Sequence, residues 1–474
     1  MSRPAAGEGA GPCPWRPPKP ATRPRRISLW QYVRLFRRDI LSAQPAHLYR
    51  AWMADFRTPF FRSCLVNDPD LVDLVLRRRP MDFPKSVRTR EGLVPLLGRH
   101  SVFLTNGEEW LRQRRIIDPA FAGGRLRETF PAISAAADAG LARLARMADG
   151  SEIDIEPETS HITADVIFRT LFSVPIEDEI AAAVFREFRA YQRAQPLLNL
   201  AAFIPLPRFL PRLHRRTTRI TARRIRALIE RMIARRRAEL AAGTAPDDLA
   251  TKIMTMADPE TGARLSDGEM QDQVAIFFLA GHETSAVALA WALWLVAKDG
   301  VVQARIRAEA EAVFAARAPS FGDISRLSFT RDVFRETLRL YPPVPMMVRE
   351  TTRPETFRGR ALGKGTQIVL SPWHLHRHER LWPDPDLFDP ARWQRPGTAP
   401  LARKAWLPFS AGPRVCSGAG MAMIEGTLVL ARIVQHFELA PGAREPVPEA
   451  QLTVRSRDGI GIRLRQIRPL PGAE

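Results

Sequence analysis

One cysteine near the C-terminus constrains this chain more than any other residue. Cys416 lies near the end of the segment Phe409-Ser-Ala-Gly-Pro-Arg-Val-Cys-Ser-Gly418. The apolar stretch from Ala419 to Val434, which follows, is typical of a buried helix. A helix N-terminus presents unpaired N–H groups and the positive end of a dipole, so we expect a lowered thiol pKa. The pattern predicts a thiolate held where a loop turns into a helix.

The other residues of this loop fit a flat, acidic ligand beside the sulfur. Gly412 and Gly418 would let the backbone approach such a ligand closely, and Arg414 could pair with its carboxylate. Cys416 on its own would be an inert buried cysteine in most proteins. The complete pattern F-x-x-G-x-R-x-C-x-G argues against that alternative.

Composition indicates a large globular protein. Its 474 residues are 45% hydrophobic and 26% charged, which is ordinary for a globular chain. Three cysteines without regular spacing argue against a disulfide framework and favour a cytoplasmic setting. We predict a proline-rich, flexible N-terminal arm over 1–27 and a single domain over 28–474, without a signal peptide.

Hydrophobic periodicity predicts mainly helices with small sheets. Helices are expected at 71–76, 106–120, 131–149, 157–174, 214–242, 267–298, 301–317, 330–341 and directly after Cys416. Short strands are expected at 60–66 and within 345–371, followed by an aromatic meander over 382–410.

The long helix at 267–298 carries Ala280-Gly-His-Glu-Thr284 at its centre. Ser266 and Glu269 form a capping box at its start. Charge at mid-span is costly in lipid, so we expect a buried helix with a local break and no membrane span. Gly281 would let the helix pass close to a ligand. The acid and the hydroxyl predict a water-filled site, unless Glu283 faces solvent and Thr284 only caps a kink.

Two further motifs combine charge with helical spacing. Glu336 and Arg339 share one helix face before a Pro-Pro stop, and Arg392 follows in the meander. Trp110 and Arg114 are four residues apart, so one face presents an indole N–H and a guanidinium. Each motif alone is weak, because surface ion pairs at this spacing are common.

Taken in chain order, the motifs resemble those of the cytochrome P450 superfamily. The resemblance covers roughly residues 55 to 465. The resemblance implies the triangular, mainly α-helical haem-thiolate fold, with heme b bound and Cys416 as axial iron ligand. Glu336, Arg339 and Arg392 would lock the meander behind the haem. Ser410 stands where many members carry glycine.

The resemblance also assigns roles within the site. Thr284 would deliver protons to bound dioxygen, and Glu283 would relay them from solvent. The expected cofactor-binding residues are Trp110, Arg114, Ala280, Gly281, Arg349, His376, Phe409, Gly412, Arg414, Cys416 and Gly418. His376 is a looser match that would also fit a structural role, and His100 is a further candidate at the haem edge.

The implied function is a monooxygenase that inserts one atom of O₂ into a hydrophobic small molecule, such as a fatty acid, terpenoid or carotenoid. Substrate contacts are expected within 81–100, 191–212 and 344–348, and at Phe277, Phe278 and Ala280. A peroxide-driven enzyme and a non-catalytic haem sensor are alternatives. The Glu283–Thr284 pair favours activation of O₂.

Electrons are expected from a ferredoxin and its NAD(P)H-dependent reductase. Arg112, Arg115, Arg403 and Lys404 would form a basic docking surface for the acidic ferredoxin. The net charge of +20 and the arginines of 208–237 raise the alternative of nucleic-acid binding. We expect none, because no aromatic platform or known module accompanies them. At most, peripheral membrane contact is expected, and the protein should be a monomer.

Overall fold

Helices form most of the computed structural model, which describes residues 15–24, 27–57, 62–194, 216–315 and 317–470. In chain order the helices are α1 (Leu29–Arg38), α2 (Pro69–Asp73), α3 (Val87–Leu97), α4 (Gly107–Ile117), α5 (Gly123–Ala145), α6 (Glu156–Phe172), α7 (Glu179–Ala194), α8 (Arg216–Ala241), α9 (Leu249–Thr255), α10 (Asp267–Lys298), α11 (Gly300–Phe314), α12 (Ser328–Leu340), α13 (Pro372–Leu375), α14 (Thr398–Ala405) and α15 (Ala419–His436).

The strands form four small sheets within the described residues. Their bounds are β1 (Met53–Arg57), β2 (Arg62–Val66), β3 (Asp149–Asp154), β4 (Met347–Glu350), β5 (Glu355–Phe357), β6 (Arg360–Leu362), β7 (Gln367–Leu370), β8 (Phe437–Pro441), β9 (Pro448–Ala450), β10 (Val454–Ser456) and β11 (Gly461–Gln466). The largest sheet has the order β1-β2-β7-β4, with β2 parallel to β7. A second has the order β3-β11-β8, and two hairpins pair β5 with β6 and β9 with β10.

Helix α10 runs through the hydrophobic core and contributes to both large apolar clusters. The predicted capping box is confirmed: Ser266 Oγ accepts from the Glu269 N–H, and the Glu269 carboxylate accepts from the Ser266 N–H. The helix is long and apolar enough to cross a membrane, but 78% of its most apolar window is buried inside the protein. This burial is the behaviour of a core helix. The predicted break is wrong, since α10 is continuous from Asp267 to Lys298.

A buried ion network connects α12 to the meander. Glu336 accepts from Arg339 Nη2 at 2.8 Å and from Arg392 Nε at 3.4 Å. Burial opposes the charge of Glu336, but the two guanidinium groups outweigh it and hold the pKa of the carboxyl below its usual value. Arg339 also donates to the carbonyls of His376, Pro385 and Leu387. The predicted role of this triad in locking the meander is confirmed.

The structure agrees with most predicted elements and adds others. Helices α3 and α7 and the sheet β3-β11-β8 were not predicted. Helix α7 carries buried apolar residues at helical spacing (Val184, Phe188 and Tyr191), a signal that the prediction missed, whereas β3 has only one large apolar residue. The predicted strand at 60–66 is described only from Arg62, and its first two residues lie outside the described residues. The described part of the N-terminal arm, 15–24, packs on the body through Trp15, whose ring lies 5.0 Å from that of Trp294.

The basic helix predicted at 214–242 is α8, and several of its arginines bind acids of the same chain. Arg226 pairs with Asp272 at 2.7 Å, and Arg236 pairs with Asp248 at 2.6 Å. Arg219, Arg223 and Arg231 remain exposed. Arg208, Arg212 and Arg215 lie outside the described residues. The charge of this helix therefore serves partly to fix it to its neighbours.

Replacing Glu336 by Gln should lower the free energy of unfolding by about 3–5 kcal/mol, because two buried guanidinium groups lose their carboxylate. Chemical unfolding followed by circular dichroism measures this loss. Glu438→Gln, which removes an exposed partner of Arg465, is the control and should cost at most about 1 kcal/mol. The difference between wild type and Glu336→Gln should shrink as the pH falls below the ordinary glutamate pKa of about 4.3, because the unfolded chain then takes up a proton that the folded carboxyl, with its lowered pKa, binds less readily. Equal unfolding midpoints for wild type and Glu336→Gln would contradict a stabilising network.

Candidate active site

The cysteine loop is held by its own backbone and by α4. The Cys416 N–H donates to the Phe409 carbonyl at 2.9 Å, and Arg114 Nη1 donates to the Val415 carbonyl at 2.9 Å. Gly412 adopts φ +66°, and a Cβ there would lie 2.0 Å from the Leu76 carbonyl oxygen. The loop thus needs glycine at 412 to pack against the turn after α2, a close contact within the protein that we had expected with a ligand.

Ser410 also lies in the left-handed region of backbone conformation, with φ 63°. A glycine would adopt this conformation without steric penalty, whereas a serine carries strain there. The residue that departs from the family's pattern therefore stands at a position where glycine has a physical advantage. Phe409 precedes it and packs edge-on against Trp406, at 6.3 Å between ring centroids.

The Cys416 side chain is accessible to solvent, although its surroundings are dense. Burial raises the pKa of the thiol, and the Gly418 N–H and Arg114 lower it by less. Protein encloses the sulfur on most sides, which disfavours the thiolate, and one side is open to solvent. The predicted net lowering of the thiol pKa is wrong for the polypeptide by itself.

The centre of α10 also has one open side. Ala280 is exposed and Thr284 is half-buried, while Leu279 and His282 between and beside them are buried. Thr284 Oγ1 donates to the Ala280 carbonyl at 2.6 Å, which keeps the hydroxyl on that side. A Cβ on Gly281 would lie 2.3 Å from Ile167 Cδ1, so this glycine allows close packing of α10 on α6. Its predicted contact with the cofactor stays a prediction.

Glu283 is buried in a polar environment. Its Oε1 accepts from Thr453 Oγ1 at 2.8 Å and pairs with Arg455 Nη2 at 3.0 Å. Its Oε2 accepts from Gln192 Nε2 at 2.8 Å. The alternative in which Glu283 faces bulk solvent is therefore wrong, because α7 and the β10 segment cover the carboxylate.

Helix α15, which follows the cysteine loop, is joined to α10 beside Thr284. Ser285 Oγ donates to Glu425 Oε2 at 3.0 Å, and both side chains are buried. Burial raises the pKa of Glu425 to about 8. This contact fixes the helix that begins behind Cys416 against the helix that carries Thr284.

A cluster of cations surrounds the Trp110 ring. Arg414 lies 4.6 Å from the ring centroid, Lys85 lies 5.6 Å from it and Arg114 lies 5.9 Å from it. Arg349 joins them, because β4 forms a bridge to Lys85. Arg114 pairs with Asp118, but no carboxylate of the described residues forms an ion pair with Lys85, Arg349 or Arg414.

These charges perturb one another. Burial, followed by Arg349, Arg414 and Arg114, lowers the pKa of Lys85 well below its usual value. Burial and Arg414 lower the pKa of Arg349 to about 10. Buried Nε of Arg414 has no hydrogen-bond partner among the described residues. Like charges that are enclosed together without a carboxylate partner are unfavourable, so this cluster fits a ligand with two negative charges.

The residues present fit heme b. Its two propionates supply the dianion that Lys85, Arg349 and Arg414 lack, and Trp110 offers an indole N–H. The Cys416 sulfur is open on one side, which would suit it to bind the haem iron as a thiolate. The sequence prediction missed Lys85. A lysine at the start of a helical segment looks like a surface residue, and only its burial among arginines reveals the site.

Three further predicted residues make contacts outside the cluster of Lys85, Arg349 and Arg414. His376 Nε2 accepts from the Leu407 N–H at 2.7 Å, which positions the segment before the cysteine loop; its cofactor contact stays a prediction. His100 is exposed and binds Glu109 at 2.7 Å. Phe278, expected to contact substrate, packs instead on Phe188 at 4.4 Å in the core, so that expectation is wrong.

Lys85→Met should weaken haem binding and stabilise the haem-free protein, because it removes one uncompensated buried charge. Loss of one charge-assisted hydrogen bond corresponds to about 10- to 100-fold faster haem transfer to an acceptor globin. Thermal unfolding of the haem-free protein should shift upward by a few degrees. Lys364→Met, at an exposed position, is the control and should change neither quantity. Unchanged haem transfer in Lys85→Met would remove this residue from the site.

Comparison with known proteins agrees with this geometry. The family model for cytochrome P450 matches residues 52–460. Cyclooctat-9-en-7-ol 5-monooxygenase of Streptomyces melanosporofaciens is 33% identical over 436 residues, covering 90% of this chain and 91% of that protein. Cyclooctatin synthase of the same organism is 33% identical, covering 88% and 89%. Human cytochrome P450 4A11 is 31% identical, covering 84% and 79%. The chain belongs to the cytochrome P450 family and is a haem-thiolate monooxygenase.

Proposed function

We propose that this monooxygenase oxidises a bulky, hydrophobic small molecule, with terpenoids ahead of fatty acids and carotenoids, and receives electrons from a ferredoxin. The observation that carries the proposal is the open side of α10, where Ala280 and Thr284 are accessible in an otherwise buried apolar helix. An alanine and a threonine leave room for a substrate beside the group that handles protons.

The division of roles follows from the contacts. When bound, the haem supplies the oxygen chemistry, and thiolate ligation favours O–O cleavage. Cys416 would bind the iron, while Lys85, Arg349 and Arg414 would hold the propionates. Thr284 would hold a proton at Oγ1 on the open side of α10, where its hydroxyl already has a fixed acceptor in the Ala280 carbonyl. Glu283 would resupply that proton from the polar side of the helix.

Two observations support the substrate class: apolar side chains in the predicted contact segments, and the substrate in the name of a relative. Phe277 is partly buried against Phe121, at 5.7 Å between ring centroids, one turn before Ala280. Met81 and Val87 are exposed in the predicted segment 81–100, and Val344 is half-buried in 344–348. Of the predicted segment 191–212, residues 195–212 lie outside the described residues. One relative is named as a 5-monooxygenase of cyclooctat-9-en-7-ol, and this supports a terpenoid.

The electron partner would dock where basic residues stay exposed. Arg403 and Lys404 lie in the last turn of α14, shortly before the cysteine loop, and both are exposed; Lys404 makes only an exposed ion pair, with Asp70 at 3.5 Å. Arg112 and Arg115 fit less well than we expected, because Arg112 pairs with Glu269 and Arg115 pairs with Asp258 at 2.6 Å. An acidic ferredoxin reduced by an NAD(P)H-dependent reductase would complement the exposed pair. A cytoplasmic, monomeric enzyme fits this supply.

The reduced protein should show the strongly red-shifted Soret band of thiolate-ligated haem with carbon monoxide, and Cys416→His should lose it. Cyclooctat-9-en-7-ol and hexadecanoic acid, titrated into the ferric protein, then compare the two substrate classes by their spectral shifts. Tighter binding of the cyclic alcohol supports a terpenoid, and tighter binding of the fatty acid overturns that preference. A wild-type band typical of histidine ligation would refute Cys416 as the ligand.

Reversing both charges, Arg403→Glu with Lys404→Glu, should slow reduction by a plant-type ferredoxin about tenfold or more at low salt, since complementary charge mainly accelerates association. The remaining rate should depend little on ionic strength. Arg223→Glu with Arg231→Glu makes the same change in net charge on exposed positions of α8 and serves as the control. If both double variants are reduced equally fast, the docking surface lies elsewhere.

A further inference from the structure

A polar cavity of about 150 Å³ adjoins Glu283 on the side formed by α6, α7 and β10. Its walls include Glu156, Ser160, Arg189, Gln192, Glu283 and Arg455. This volume holds several waters, and the walls offer them donors and acceptors. The cavity thus places a second carboxyl group, that of Glu156, within reach of Glu283 through water.

Glu156 is the first residue of α6, and its Oε1 accepts from the Ser456 N–H at 3.0 Å. Burial raises the pKa of this carboxyl to about 7, with Asp154 adding to the increase, while the Ser456 N–H and Arg455 oppose it. A carboxyl with a pKa near the working pH both takes up and releases protons readily.

The other groups that line the cavity include a histidine, two arginines and a third carboxyl group. Burial lowers the pKa of His282 to about 3, with help from Arg455 and Arg189, so its imidazole is neutral near pH 7. Its Nε2 lies 3.0 Å from Ser160 Oγ. Arg455 pairs with Glu283 at 3.0 Å and also attracts the charge of Glu156. The third carboxyl, Asp154, already accepts from the Glu156 and Ile460 N–H groups, whereas Glu283 is the carboxyl next to Thr284 on α10.

We propose that Glu156 is the residue through which protons enter this cavity and reach Glu283 through the cavity waters. In each step Glu156 releases a proton to a water, Glu283 takes one from the far end of the water chain, and solvent reprotonates Glu156. Glu283 then gives its proton up towards Thr284, so one proton has moved inward from solvent and both carboxyls return to their starting state. The inference rests on the proposed role of Glu283, through which Glu156 acts.

The test is the pH dependence of NADPH-driven oxygen consumption by the haem-loaded enzyme with its ferredoxin system, which requires no particular substrate. The wild-type rate should fall as the pH rises through about 7. Glu156→Gln should lower the rate at pH 6.5 about tenfold, remove that inflection and raise the solvent deuterium isotope effect. Glu158→Gln, on the same helix but paired with Arg143 at 2.5 Å, is the matched control and should keep the wild-type profile.

Stability separates the relay from a structural role. Because the folded-state pKa of Glu156 is raised from 4.5 to about 7, the folded protein loses stability as the pH rises from about 4.5 to about 7, and the whole loss is present at pH 8. Glu156→Gln removes this effect and should unfold at or above the wild-type temperature at pH 8. A slow Glu156→Gln enzyme that is also less stable than wild type at pH 8 would point to damage and overturn the proposal.

Glu283→Gln distinguishes failure of the inference from failure of its premise. If Glu283→Gln slows oxygen consumption while Glu156→Gln keeps the wild-type inflection and isotope effect, Glu156 is not the entry residue. If Glu283→Gln itself behaves as wild type, the proposed role of Glu283 falls and the inference falls with it. Loss of the inflection in both variants, but not in Glu158→Gln, supports the complete route.

Discussion

The buried carboxylate of Glu336 organises the segment that carries the cysteine. It neutralises Arg339, and Arg339 in turn fixes the carbonyls of His376, Pro385 and Leu387. His376 continues the chain of contacts, since its ring accepts the Leu407 N–H just before the cysteine loop. An irregular, aromatic meander has no ladder of backbone hydrogen bonds, so buried charge supplies the order that a sheet would otherwise provide.

The protein treats its two buried groups of cations in opposite ways. The guanidinium groups of the meander have a carboxylate from the same chain, so this part is complete without a ligand. Lys85, Arg349 and Arg414 have none among the described residues, and burial, with like-charge repulsion added, lowers the pKa of Lys85 and Arg349. Binding of a dianionic cofactor is therefore linked to stability, because the ligand relieves a repulsion that folding creates.

Side chains within about one turn of helix α10 face two different environments. Ala280 and Thr284 lie on its open, largely apolar side, whereas Glu283 turns to a polar cavity bordered by Arg455. Adjacent residues on a helix point about 100° apart, so an acid and a hydroxyl at 283 and 284 reach both environments. In the proposed mechanism, this geometry would let protons be supplied without opening the substrate side to water.

Local spacing and ordered motifs are enough to predict the family, the helical class, the cysteine at a helix start and the Glu336 triad. Which charges are paired depends on tertiary packing. Lys85 looks like a surface lysine, Arg112 looks like a docking residue and Phe278 looks like a substrate contact until their neighbours are known. The direction of the Cys416 pKa shift also required the fold, since burial depends on residues far apart in the chain. Spacing along a helix fixes which face a residue occupies, but what covers that face is decided by long-range packing.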